Sequence, residues 1–404
     1  MRRHIVALAA IAIACGGAST SAPRALDPTK PSPSAQQRFH EALAAFEAHE
    51  KTRDWTRESC VEVAGRFDAS GFAIASYDAG IVFERCRDHA SALDRLRRAL
   101  AADPSLMRAK VEIALEEYRA SRDRDRAITE LDRVVREEKF QDANALVALA
   151  TLQDDRSGPG DADAARANFE RALAVDDQSM PAYDALARHH YARARKTDAH
   201  PRDTIQLELA ELIVSQATQK NASYAPLYNT SGLIESELGH PHLASRAFER
   251  AAQIDPTLFE AHMNLGELNL AYRGFGLAEA SFRRAIALAP NDYDAHLGLA
   301  LALRGQISGI ATPAQLAGVR DELRRCMALD GSRLDALFNE AILTQEFEAK
   351  TASNSTDAIA AYDRAIAELV SFKARAASDA RYARASKLAD AHVEDMTRTR
   401  DFLK

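Results

Sequence analysis

APLYNTSGLIESELGHPHLASRAFERAAQIDP, residues 225–256, is followed after a two-residue gap by FEAHMNLGELNLAYRGFGLAEASFRRAIALAP, residues 259–290. Gly232, Ala244, Phe248, Ala251 and Pro256 of the first stretch return as Gly266, Ala278, Phe282, Ala285 and Pro290 of the second, each 34 residues on. A period of this size marks a helical hairpin that cannot bury its apolar face alone and is stable only when stacked on copies of itself. Gly232 and Gly266 fall mid-helix, where glycine weakens a helix, so a neighbouring helix is expected to pass too close for a side chain. Ala244, Phe248 and Ala251, at i, i+4 and i+7, make a small-large-small stripe on a second helix, as do Ala278, Phe282 and Ala285. The Asp255-Pro256 step then ends that helix, because the residue before proline avoids helical angles.

A small residue in helix A, Ala-x3-aromatic-x2-Ala in helix B and a closing proline together resemble the tetratricopeptide repeat (TPR) family. The resemblance implies an all-α, right-handed superhelical solenoid of about eight TPR-like helical hairpins, with an N-terminal helical pair and a C-terminal capping helix. Before the two stretches quoted, the landmarks recur as Gly80 with Ala92, Leu96 and Ala99, then as Ala114 with Ala127, Leu131 and Val134. Two more sets are Ala148 with Ala165, Phe169 and Ala172, and Ala187 with Ala210, Val214 and Ala217. After them come Ala300 with Val319, Leu323 and Cys326, and Ala341 with Ala358, Tyr362 and Ala365. Gly80, Gly232, Gly266, Phe169, Phe248, Phe282 and Tyr362 are the expected repeat-packing residues.

Composition agrees with closely packed helices. The 404 residues are 47% hydrophobic but only 6% aromatic, so small side chains, alanine above all, supply the apolar fraction. A formal charge of −7, with Arg mixed among Glu and Asp, leaves no basic block of the kind that nucleic acid requires.

The first residues read as a targeting segment. Met1-Arg2-Arg3 is basic, Ile5 to Ala14 is an apolar run too short to span a bilayer, and Ala12-Ile13-Ala14-Cys15 resembles a bacterial lipobox. That resemblance implies a signal peptide over 1–14, acylation of Cys15 and, with Gly16 next, retention at the outer membrane facing the periplasm. Residues 15–34 carry Pro23, Pro28, Pro31 and Pro33 among Ser, Thr, Ala and Gly and read as a tether. A helical hairpin is expected over 35–70, one helix marked by Phe39, Leu43 and Phe46 and the next by Trp55, Cys60, Val63 and Phe67. The TPR array follows over 71–370 and the cap over 371–404, with Ala377, Tyr382, Leu388, Ala391 and Met396 as the cap's buried face.

Extra residues at 154–163, 195–204, 304–315 and 349–357 all fall between helix A and helix B of their own repeat. They mark an elaborated edge that either docks partners or has simply drifted, since loop lengthening costs little.

Candidate site residues are few. Cys60 and Cys86 lie on adjacent expected helices and form either a disulfide or two separately buried thiols; Cys326 replaces an alanine landmark and reads as core. His189, His190, His200, His240 and His242 lack metal-ligand spacing, so no metal is expected. Asp161 and Asp163 are expected to cap a helix. Motifs for phosphate binding, zinc proteolysis or a nucleophile elbow do not occur, and neither a catalytic residue nor a cofactor is expected. In the TPR family the groove is lined by helix A, and an asparagine two residues before the small landmark often bonds a peptide backbone. Asn264 and Asn339 match that place and Asn229 lies one residue out of register, so these are either groove contacts or ordinary solvated amides.

Taken together, the resemblance implies a non-enzymatic, membrane-anchored interaction scaffold whose partners are envelope proteins or peptides and not nucleic acid. Such lipoproteins are similar to pilotin-like secretin assembly factors, cell-wall hydrolase adaptors and the TPR lipoproteins of myxobacterial adventurous gliding. The competing class is an enzyme or ligand-binding protein that uses the groove.

Overall fold

The computed structural model describes residues 33–52, 54–194 and 202–404, so the signal segment, Cys15, nearly all of the tether and His200 lie outside the described residues. The chain forms two compact units, one ending at Ala222 and the other beginning at Ser223. Every described helix pairs with its sequence neighbour, and strands do not occur among the described residues.

In the first unit, α1 (Pro33–Thr52) and α2 (Arg57–Asp68) form the N-terminal pair. Four hairpins follow: α3 (Ala73–Arg85) with α4 (His89–Ala102), α5 (Met107–Ser121) with α6 (Arg124–Glu137), α7 (Ala143–Arg156) with α8 (Asp161–Val175), and α9 (Met180–Ala194) with α10 (Thr204–Lys220). The second unit has α11 (Ala225–Leu238) with α12 (Pro241–Ile254), α13 (Phe259–Ala271) with α14 (Phe275–Leu288), and α15 (Tyr293–Gly305) with α16 (Pro313–Leu329). Its last hairpin is α17 (Asp335–Thr344), prolonged by a π-helical turn over Gln345–Ala349, with α18 (Ser355–Ala376), and α19 (Ala383–Leu403) closes it.

The small-large-small stripes are the core. Ala244, Phe248 and Ala251 of α12 are at most 2% exposed, and Ala278, Phe282 and Ala285 of α14 at most 1%. Phe169 and Tyr362 are buried at the same place in α8 and α18. A Cβ on Gly232 would stand 2.5 Å from the Phe248 ring, and one on Gly266 would stand 2.8 Å from the Phe282 ring. Gly80 is closed off by Leu96 in the same way, at 2.8 Å. These are contacts between helix A and helix B of one hairpin, and they bring the two backbones together.

Four of the B helices stop on aspartate, with or without proline after it. Asp103, Asp176, Asp255 and Asp330 all leave the helix in extended conformation. Each then accepts the backbone N–H two residues on, at 2.9–3.0 Å. The Asx turn supplies the stop that the sequence pattern assigns to Asp-Pro.

Cys60 and Cys86 are joined, with Cα atoms 6.5 Å apart, tying α2 to the end of α3. Glu50 reinforces that seam, accepting from Arg85 and from Trp55 at 2.9 Å each. Contrary to the expectation from its spacing, Trp55 is not part of α2; it lies before the helix and packs on Phe46, while Thr56 caps α2 in a capping box. α1 starts at Pro33, so the last two residues assigned to the tether are helical.

Three other expectations are corrected. Asp161 is the first residue of α8, not its cap, and is held by Arg156 at 2.6 and 2.8 Å and by the Gly158 N–H at 2.8 Å. The extra length after Asp154, Arg304 and Ala349 is only partly loop: α7 runs on to Arg156, α8 starts at Asp161, α16 at Pro313 and α18 at Ser355, which leaves residues 157–160, 306–312 and 350–354 as the connections between helix A and helix B. In the cap, Ala377, Leu388 and Ala391 are exposed, and the buried face is Tyr382, Ala389 and Met396 with Ala385 and Val393 beside them. A terminal helix packs on one side only, so its register follows the single neighbour it covers.

Candidate functional site

Within the second unit α11 packs on α13, α13 on α15 and α15 on α17, whereas no comparable contact joins α12 to α14 or α14 to α16. The A helices are therefore the closer-spaced row, and the face they present is the inner one.

On that row Asn264 of α13 donates Nδ2 to Oδ1 of Asn229 on α11 at 2.8 Å. Both residues are half-buried, and Asn229 Nδ2 and Asn264 Oδ1 have no other partner among the described residues. In either amide orientation the pair offers one outward donor and one outward acceptor, which is what a peptide group in a passing chain needs. The one-residue offset of Asn229 thus places it across from Asn264. Asn339 is differently used: its Oδ1 accepts from Arg304 Nη1 at 2.9 Å and its Nδ2 donates to the Asp335 carbonyl at 2.8 Å. Burial pulls the Arg304 guanidinium below its ordinary range, so Asn339 supplies an acceptor to a poorly hydrated cation.

In the first unit the same offset carries carboxylates. Asp78 stands two residues before Gly80 and Glu112 two before Ala114. Asp78 is 0% exposed, neither carboxylate oxygen has a hydrogen-bond partner, and burial raises its pKa to about 8 against the opposing pull of Arg108. The asparagine pattern alone misses Asp78. Any polar residue at that offset is the signal that finds it.

His189, His190 and His240 have ordinary partners. His189 Nδ1 meets Asp154 at 3.0 Å, His190 Nδ1 meets Gln206 at 2.7 Å, and His240 meets Glu235 at 2.9 Å. Burial pushes His190 down. His262 and His296, 34 residues apart, each bond the carbonyl oxygen of the preceding closing proline at 3.0 Å. Among the described residues no group of His, Cys, Asp and Glu is arranged to hold a metal ion, and no helix is long and apolar enough to cross a membrane. Cys326 is buried, and burial pushes its thiol up to about 12.

Residues 225–258 match the tetratricopeptide repeat family. No curated protein matches the sequence. Among solved structures the chain is similar to Cut9–Hcn1 of the APC/C, at 14% identity and a TM-score of 0.57, over 89% of this chain and 62% of that one. It is also similar to a TPR protein of Thermus thermophilus, at 26% identity and a TM-score of 0.43, over 49% of this chain and 99% of that one. Pseudomonas aeruginosa PilF is similar at 17% identity and a TM-score of 0.46, over 64% of this chain and 97% of that one. The chain thus carries a tetratricopeptide repeat at 225–258 and has the all-helical, hairpin-upon-hairpin fold of TPR solenoids.

Proposed function

We propose that this protein is a non-enzymatic interaction scaffold that holds an extended peptide segment of an envelope protein against the A helices of its second unit. The Asn229–Asn264 pair carries the proposal, because it is preorganised and leaves one donor and one acceptor free on the inner face. Asn339, at the matching place in α17, spends its amide internally, on Arg304 and on the Asp335 carbonyl. The lipobox-like Ala12-Ile13-Ala14-Cys15 supports anchoring of this scaffold by acylated Cys15 to a membrane, with the Pro-rich segment as its tether. A lipid-anchored array of this kind suits recruitment or assembly of envelope machinery, gliding, pilus or secretin systems included.

The test is recovery of partners from envelope extracts by the full-length protein and by an Asn229→Ala, Asn264→Ala double variant. Retained melting temperature with lost recovery is the expected result; undiminished recovery by the double variant overturns the groove assignment. Separately, Cys15→Ser should leave the membrane fraction, and equal retention there would end the anchoring claim.

A further inference from the structure

Near the start of α17 and α19, in the second unit, lies an open surface cleft of about 520 Å³. That volume falls in the range of small-ligand sites, roughly 300–1,000 Å³. Its cations are unequally committed. Arg333 is pinned: its guanidinium lies 3.8 Å from the centre of the Tyr293 ring and bonds both oxygens of Asp294 at 2.6 and 3.1 Å. Arg381 is similarly held by both oxygens of Asp379, Oδ2 at 2.6 Å and Oδ1 at 3.0 Å. Tyr382 donates its hydroxyl to Asp335 at 3.1 Å and accepts the Leu334 N–H at 2.9 Å, so that wall is fixed. Arg384 lines the same cleft and has no hydrogen-bond or ion-pair partner among the described residues.

One turn beyond Arg384, Leu388 is 50% exposed and faces the same cleft, with Ala385 beside it. A guanidinium without a protein partner and a half-exposed leucine thus stand at i and i+4 on one side of the cleft. We propose that this cleft binds an apolar monocarboxylate, with the carboxylate paired to Arg384 and the apolar group lying on Leu388 and Ala385. The guanidinium fork matches a carboxylate in bidentate geometry. Asp335 in the wall and Asp294 and Asp379 behind it oppose a dianion, so one negative charge is preferred. The ligand chemistry is shared by the carboxyl end of a polypeptide whose last residue is apolar and by a free N-acyl amino acid. The site does not depend on the Asn229–Asn264 pair.

Ligand-observed NMR on the full-length protein tests this with N-acetyl-leucine, N-acetyl-leucinamide, and a decapeptide ending in leucine as free acid or amide. Both acids should bind, and amidation or Arg384→Gln should weaken binding at least tenfold; Leu388→Asn should weaken it as well. Because Arg384 is exposed and unpartnered, Arg384→Gln should melt like the parent, which separates lost binding from lost folding. Tighter binding of the peptide acid assigns a polypeptide end as the source, and equal binding of the two acids assigns the free acid. Binding of the amides as strong as that of the acids, undiminished binding by Arg384→Gln, or no binding by any acid overturns the proposal. Asn264→Ala should leave all of these signals unchanged.

Discussion

Gly298 of α15 faces Phe282 of α14 so closely that a Cβ on the glycine would stand 2.4 Å from the ring. Gly266 of α13 closes on the same ring from its own hairpin, so Phe282 is held between two glycine surfaces from successive A helices. One aromatic ring therefore joins a hairpin internally and to the next hairpin.

The first prediction contrasts two glycines in helices. Gly298→Ala gains helix propensity, worth ~1 kcal/mol, but must displace Phe282, and overpacking costs about 1–3 kcal/mol or more. Gly318, mid-helix in α16, has nothing within 4 Å of where a Cβ would stand. Urea unfolding should show Gly298→Ala destabilised and Gly318→Ala stabilised by up to about 1 kcal/mol. Stabilisation by both would mean that Phe282 has room to move.

A second prediction follows from Asp78. Its folded-state pKa of about 8 lies above the ordinary value of 3.8, so the folded protein holds a proton that the unfolded chain releases. The associated stability is fully present below about pH 4 and is lost as pH rises towards 8, at about 1.4 kcal/mol per unit while only the unfolded chain is ionised. Asp78→Asn removes that slope. Its urea midpoint should exceed the parent's at pH 8, with a smaller gap at pH 5; a gap independent of pH would show that Asp78 is ionised in the fold.

The third concerns the thiols. Because Cys60 and Cys86 are joined, only Cys326 among the described cysteines should label in protein unfolded without reductant, and it should be unreactive before unfolding. The bridge spans a sequence separation of 26. Closing a loop of that order is worth about 3 kcal/mol in the chain-entropy account, so a Cys60→Ser, Cys86→Ser variant should unfold at lower urea. Three labelled thiols per molecule beyond Cys15 would exclude the bridge.

Much of the fold was legible because packing repeats along the sequence: the positions of Gly232, Ala244, Phe248 and Ala251 recur, and a recurring steric demand leaves a recurring residue. What does not recur was harder to read. Leu388 and Ala391 were expected in the core of the cap and are exposed, while Ala385 and Ala389 pack inward, since no second copy of α19 exists to reveal its register. Asp176 and Asp330 end their helices without the proline that would have announced the stop, because the side-chain acceptor is sufficient. Of the site, the three asparagines were visible as residues, but their partners were not: Asn229 meets Asn264 and Asn339 meets Arg304 across 35 positions, one more than the period, a diagonal step between neighbouring helices.

That difference in partners separates binding from stability among three residues that look alike in sequence. Asn264→Ala removes a bond between two half-exposed amides, and Asn229 can turn to water, so the melting temperature should barely move; changes of this kind usually stay within about ±0.5 kcal/mol. Asn339→Ala takes the acceptor from Arg304, whose guanidinium is already short of water, and an unsatisfied buried donor costs about 1–3 kcal/mol. Thermal melts should therefore rank Asn339→Ala well below Asn264→Ala, whereas partner recovery should fall for Asn264→Ala. An Arg304→Met, Asn339→Ala double variant, which removes donor and acceptor together, should regain part of the lost stability. If Asn339→Ala melts like the parent, Arg304 finds water or Glu346 instead, and Asn339 joins Asn229 and Asn264 as a residue free to bind.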